Sequence, residues 1–127
     1  GVEAYSCFPL ILKNRIEKNQ RDGLLIRSHK KLRCMAIVKE NYSIVGNGQN
    51  GIQIEGVNNF TRVLENHLIG FNTLSGIRVS NEAHPHILLN KIYKNLSEGI
   101  LLIEGCSAVI EKNELLSNVR MNIGLGG

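Results

Sequence analysis

The stretch Asn66-His67-Leu68-Ile69-Gly70-Phe71-Asn72-Thr73-Leu74-Ser75-Gly76-Ile77-Arg78-Val79 decides the fold, because its pattern, N-x(x)-I-x-x-N-x-x-x-G-I-x-V, recurs along the whole chain. The first asparagine falls in turn at Asn14, Asn41, Asn66, Asn90 and Asn113, and the second at Asn19, Asn47, Asn72, Asn95 and Asn118. A glycine column follows at Gly1, Gly23, Gly51, Gly76 and Gly99, with Asn122 in the sixth place. Its steps are 22, 28, 25, 23 and 23 residues. Self-similarity at such a period is the mark of a solenoid. Glycine and asparagine tolerate a left-handed backbone, so this column is expected to turn one sharp corner per coil in that conformation.

Between corners the sequence reads as strands. Two apolar positions, two residues apart, follow each corner: Leu24 and Ile26, Ile52 and Ile54, Ile77 and Val79, Ile100 and Leu102, Ile123 and Leu125. Alternation with period two in branched residues is a strand signature. A second strand carries Ile11, Val38, Val63, Ile87 and Ile110, each three residues before a first asparagine. Two residues earlier stands a small or ring-closed residue: Pro9, Ala36, Thr61, Pro85 and Ala108. A third, shorter strand holds Ile16, Ile44, Ile69, Ile92 and Leu115. No stretch between corners has helical spacing. The fold class is therefore all-β: a single-stranded right-handed parallel β-helix of about five coils, 22–28 residues each, with three short strands per coil.

The asparagines recur for a physical reason. An amide side chain both donates and accepts, so it can pass hydrogen bonds to its equivalents in the coils above and below. Cysteines follow the same stacking logic. Cys7, Cys34 and Cys106 share one column with Asn59 and Ala83, so Cys7 and Cys34 are neighbours and Cys106 stands far from both. A Cys7–Cys34 bridge is geometrically conceivable, and buried free thiols are the favoured reading.

At 127 residues the chain has the length of one domain, residues 1–127. It starts and stops at the same phase of the repeat and shows no polar capping repeat, so it reads as a fragment of a longer β-helix protein. There is no run of about 18 apolar residues and no signal segment, which argues against a membrane partner. The odd count of three cysteines points to a reducing compartment. Sequons at Asn41, Asn59 and Asn95 would matter only in a secreted protein, and two of them lie in the ladder columns. A cytoplasmic or nuclear location is expected, with cytoskeletal association as a variant.

The charge of +4 is local. The segment Arg27-Ser28-His29-Lys30-Lys31-Leu32-Arg33 carries four Lys/Arg and no acid, so the remainder of the chain is neutral. From corner to small residue the coils take 8, 13, 10, 9 and 9 residues, and the longest contains this segment. Insertions of this kind bulge from one turn and often lie on a binding face. Arg27, His29, Lys30, Lys31 and Arg33 are thus the candidate binding residues, suited to a protein with an acidic patch. The loop has no aromatic platform, which argues against nucleic acid.

Chemistry finds little support. Glycosidases need two carboxylates facing each other, and polysaccharide lyases need acids for calcium together with a base. The chain has one aspartate, Asp22, and ten scattered glutamates, Glu104 among them. Glu40 and Glu65 stand before ladder asparagines of adjacent coils and are expected to stack on a solvated face. No D-D, N-x-D or R-I-K set of the polygalacturonase type occurs. His84 and His86 flank Pro85 and share the face opposite to it; His29 and His67 show no metal spacing. Catalytic residues, metal and cofactor are all expected to be none, with an active site elsewhere in a longer parent left open.

The segments His84-Pro85-His86-Ile87-Leu88-Leu89-Asn90-Lys91-Ile92 and Ala108-Val109-Ile110-Glu111-Lys112-Asn113-Glu114-Leu115 resemble the coils of F-box-only β-helix proteins. The same carbohydrate-binding and sugar-hydrolase type repeat occurs in copper-maturation periplasmic proteins and in spindle-associated SHC-binding proteins. The resemblance spans the whole chain, and it implies the pectin lyase fold and a substrate-receptor role in a ubiquitin ligase. No F-box or zinc-finger segment accompanies it here. The leading expectation is a non-catalytic protein-interaction scaffold. Carbohydrate binding or processing by a longer parent is the first alternative, and a structural rod in an end-to-end or multi-protein assembly is the second.

Overall fold

Alternating apolar residues build three strands per coil, and each strand pairs in parallel with its equivalent one coil later. The structure, a computed structural model, describes residues 1–5, 8–29, 31–103 and 105–126. Cys7, Lys30 and Glu104 lie outside the described residues. Sheet A contains β1 (Val2–Tyr5), β4 (Leu24–Arg27), β7 (Ile52–Glu55), β10 (Ile77–Ser80), β13 (Ile100–Ile103) and β16 (Ile123–Gly126). Sheet B contains β2 (Leu10–Leu12), β5 (Ile37–Lys39), β8 (Arg62–Leu64), β11 (His86–Leu88) and β14 (Val109–Glu111). Sheet C contains β3 (Arg15–Glu17), β6 (Ser43–Val45), β9 (Ile69–Gly70), β12 (Lys91–Tyr93) and β15 (Glu114–Leu116). Within each sheet the strands follow coil order, which is a three-sided parallel β-helix.

Register keeps like on like. Leu24 pairs with Ile52 and Ile26 with Ile54; one coil on, Ile77 and Val79 continue both columns. Sheet B sends Val38, Val63 and Ile87 into the same interior, and sheet C sends Ile44, Ile69 and Ile92, all fully buried. Each such side chain contributes roughly 1.5–3 kcal/mol by leaving water. The burial fades at the last coil, where Ile123 and Leu125 are 43% and 83% exposed because no described residue packs over them.

Two asparagine ladders run along the corners flanking sheet C. The Asn41 N–H and Nδ2 both donate to Asn66 Oδ1, at 3.0 and 2.8 Å, and Asn66 does the same to Asn90. Each Nδ2 also reaches back to a core carbonyl: Asn41 to Ile11, Asn66 to Val38, Asn90 to Val63. The second ladder runs from Asn19 through Asn47, Asn72 and Asn95 to Asn118 on the same plan. One amide thus ties three coils together, which answers the requirement that buried polar groups find partners.

The glycine column requires a correction. Gly23, Gly51, Gly76 and Gly99 do not have positive φ. They are needed for close approach instead. A Cβ on Gly51 would stand 2.6 Å from the Gly76 carbonyl oxygen, 2.8 Å from Asn72 Nδ2 and 3.0 Å from Ile69 Cγ2. Left-handed corners lie one residue before each ladder asparagine, and further positive-φ residues, Gly56, Asn81, Glu82 and Gly105, lie in the turns from sheet A to sheet B. Lys13, Glu40, Glu65, Leu89 and Lys112 precede the first ladder, and Lys18, Gly46, Phe71, Lys94 and Ser117 precede the second, with φ between 52° and 66°. Nine of these ten are not glycine, so the conformation is imposed by the ladder that follows rather than by residue preference.

Candidate functional site

With the interior committed to stacking, function falls to the outward side chains and the turns. The basic excursion leaves the stack after β4. Leu32 N–H donates to His29 O at 3.1 Å and the two residues bridge, and Cys34 rejoins the coil by bridging to Asn59. The described residues of the predicted set, Arg27, His29, Lys31 and Arg33, do not form one cluster. Arg27 is the last residue of β4 and belongs to sheet A, where its Nε donates to Glu55 Oε1 at 2.9 Å and its Nη1 to Tyr5 OH at 2.7 Å. These bonds, Glu55 first, raise its pKa above the ordinary guanidinium value. His29 and Lys31 are exposed on the turn, and Lys30 lies outside the described residues. Arg33 crosses to the sheet B side and places its guanidinium 5.1 Å from the centre of the Phe60 ring.

The outward face of sheet A forms a groove of about 760 Å³. Three acids, Glu3, Asp22 and Glu55, face three guanidiniums, Arg21, Arg27 and Arg78. Most of its polar groups already bond to one another. Gln53 donates to Ser80 Oγ and accepts from Arg78 and Asn50, while Glu55 accepts from Asn81 as well as from Arg27. Asn50 donates to Asp22 through both its backbone and its side chain. Ser75 N–H donates to Asn50 Oδ1, and Ser75 Oγ donates to Glu98. Asp22, Asn50, Ser75 and Glu98 are therefore a third polar ladder. It was legible as the residue preceding each column glycine, but its mixed residue types hid it. A hydrogen bond from Ser97, ahead of the Arg120 charge and against the cost of burial, holds the Glu98 carboxyl below the usual range.

Sheet B differs. Its outward side chains include Leu10 (61% exposed), Leu12 and Val109, with Ile37, Leu64 and Leu88 half-buried, and Phe8 precedes them at 69%. Arg62 and His86 lie exposed among them as register neighbours. Lys39 sits between Glu40 and Glu65 at 3.6 and 4.0 Å, so those two acids stack outward as expected and share one cation. His84 and His86 also lie as expected, opposite the buried Pro85. His84 stacks on Phe60 and its Nδ1 bonds Ser107 Oγ.

Among the described residues, no group of three His, Cys, Asp or Glu side chains is placed to hold a metal ion. Cys34 is buried and free, and Cys106 is partly buried and free; the Cys7 partner proposed for Cys34 lies outside the described residues. No helix of the described residues is long and apolar enough to cross a membrane.

No curated protein and no solved structure matches the chain. The family described as "right handed beta helix region", which includes both enzymes and non-enzymes, matches residues 1–126. Three parallel sheets stacked coil on coil are the architecture that description requires, and the chain belongs to the right-handed β-helix family.

Proposed function

We propose that this β-helix is a non-catalytic docking module for another protein, and that it docks through the outward face of sheet B. The observation that carries the reading is the contrast between exposed apolar side chains on that face, Phe8, Leu10, Leu12 and Val109, and the self-paired polar side chains of sheet A. A sheet face that sets exposed apolar side chains among cations has the anatomy of a protein interface. Its cations are Arg62 from β8, the middle strand of the sheet, and Arg33 beside Phe60, with Lys31 exposed on the same excursion as Arg33, which suits a partner with an acidic patch. A substrate-receptor role, as the F-box resemblance implies, is one form of such docking. A cytoplasmic or nuclear setting agrees with it: the Asn41, Asn59 and Asn95 amides are fully buried and bonded, leaving no free nitrogen for a glycan.

The second reading, carbohydrate binding, draws on the hydrogen-bonding groove of sheet A. It would require displacing bonds the groove already makes.

Cross-linking from a photoreactive side chain at Leu10 or Leu64 tests the docking face, with Glu3 on sheet A as the comparison position. A discrete protein adduct at Leu10 and Leu64, lost when Lys31 and Arg33 are changed to Glu, is expected. Adducts only from Glu3, or none that depend on Lys31 and Arg33, would remove sheet B from consideration.

A further inference from the structure

Where β8, β11 and β14 begin, three successive coils enclose a shallow cleft of about 500 Å³. Val57, Phe60, Pro85 and Val109 give it an apolar lining, and His84, His86 and Ser107 supply its polar groups. The rings are already arranged for stacking. His84 lies 5.7 Å from Phe60 at an interplanar angle of 27°, and Arg33 covers Phe60 at 5.1 Å. Beside His86 in the register stands Arg62. No carboxylate lines the cleft, and among the described residues no acid lies within 4.0 Å of the Arg33 or Arg62 guanidinium. The acids two residues from the lining along the chain, Glu55, Glu82 and Glu111, all lie outside it, and Glu55 is already bonded to Arg27. The cleft thus combines aromatic faces with cations that no acid among the described residues neutralises.

We infer that this cleft seats an aromatic side chain of a partner protein, with an acidic residue next to it in the partner's sequence. The inference rests on the docking role proposed for sheet B. An aromatic ring fits because Phe60 and His84 offer it offset or edge-on contact, worth more than area alone. The acid follows from charge: Arg33 and Arg62 flank the cleft with no carboxylate partner among the described residues, and a guanidinium pairs a carboxylate with two parallel hydrogen bonds. A nucleic acid also joins rings to negative charge, but it needs a run of cations tracking its backbone. Here the face beyond the cleft continues as Leu64 and Leu88, which favours a protein.

The test uses the full chain and the blocked tripeptide Asp-Tyr-Glu, followed by NMR through the imidazole signals of His84 and His86. Saturable shifts in the millimolar range are expected. Asp-Ala-Glu and Asn-Tyr-Gln should each bind about tenfold more weakly, one lacking the ring and the other the charge. The exposed pair Arg33→Gln and Arg62→Gln should lose binding by a similar factor with an unchanged circular dichroism spectrum. The inference is overturned by the absence of saturable shifts, by equal binding of either control peptide, by undiminished binding to the double variant, or by tighter binding of an oligouridylate. Any of these outcomes alongside intact cross-linking from Leu10 and Leu64 would remove the cleft and leave the docking face standing.

Discussion

On sheet B, two columns one residue apart behave in opposite ways. The inward column reads Ile11, Val38, Val63, Ile87 and Ile110, the same kind of side chain five times. The outward column beside it reads Leu10, Ile37, Arg62, His86 and Val109, changing size and charge from coil to coil. An inward residue must pack against its own equivalents about 4.8 Å away on either side, so one choice fixes the next. An outward residue answers only to solvent or to a partner. The division implies that changes to the inner half should damage the fold, whereas changes to the outer half should leave it standing and alter what it binds.

The largest effect is expected at Asn66. Asn66→Ala removes four hydrogen bonds: Asn41 N–H and Nδ2 lose their acceptor, and Val38 O and Asn90 Oδ1 each lose a donor. All four lie in the buried interior, so a loss of about 3–5 kcal/mol is expected in urea denaturation. The same change at Asn14, in the exposed first coil, should cost about 1 kcal/mol or less. Equal costs at the two positions would mean that the ladder is not cooperative with burial.

Next comes a contrast between two glycines. Gly51→Ala puts a methyl group against backbone that cannot move without shifting the next coil, and overpacking of this kind costs about 2 kcal/mol. Gly46 has φ 66° and an open environment, with Lys18 Cγ the nearest atom to an added Cβ at 3.7 Å. Gly46→Ala should therefore cost about 1 kcal/mol, from backbone strain alone. Thermal melts of the two variants would separate close approach from left-handedness as the reason for a glycine.

That contrast also explains what could be read in advance. The inward columns, the ladders and the three strands were legible because stacking repeats the same demand in each coil. The conformation of the corners was not: glycine suggested a left-handed backbone at Gly23 and Gly51, while the left-handed residues before the ladders include Lys13, Glu40 and Leu89, types that give no such sign. The outward face was harder still. Arg27 and Arg33 belong to one basic run, yet the strand ends at Arg27 and pairs it with Glu55, and the turn delivers Arg33 to Phe60. Which face a loop residue reaches depends on the path of the turn, and no repeat encodes that path.

A smaller effect, of opposite sign, is expected at Leu89. Its φ is 60° and its side chain is largely exposed, so Leu89→Gly relieves strain and gives up little burial. After the entropy cost of glycine, a gain of about 0.5 kcal/mol should appear in the same melts. Phe71, at the equivalent corner of the second ladder, has Lys94 over its ring at 5.9 Å. The corresponding change there should gain less or nothing.

The smallest effect separates the three ladders by pH. Two of them are amides throughout and do not titrate, whereas the third begins at Asp22 and ends at Glu98. The Glu98 side chain is nearly buried, and the Ser97 hydrogen bond holds its carboxyl below the ordinary 4.5. Arg120 adds little, being largely exposed at 3.8 Å. A carboxyl whose folded pKa is depressed contributes stability that is fully present above its unfolded value and is lost as pH falls through the folded value. Urea midpoints of the wild type should therefore decline below pH 4.5, and Glu98→Gln should flatten part of that decline. If the variant follows the wild type at every pH, the acid limb belongs to other carboxylates, and the corner ladder is as indifferent to protons as the two amide ladders.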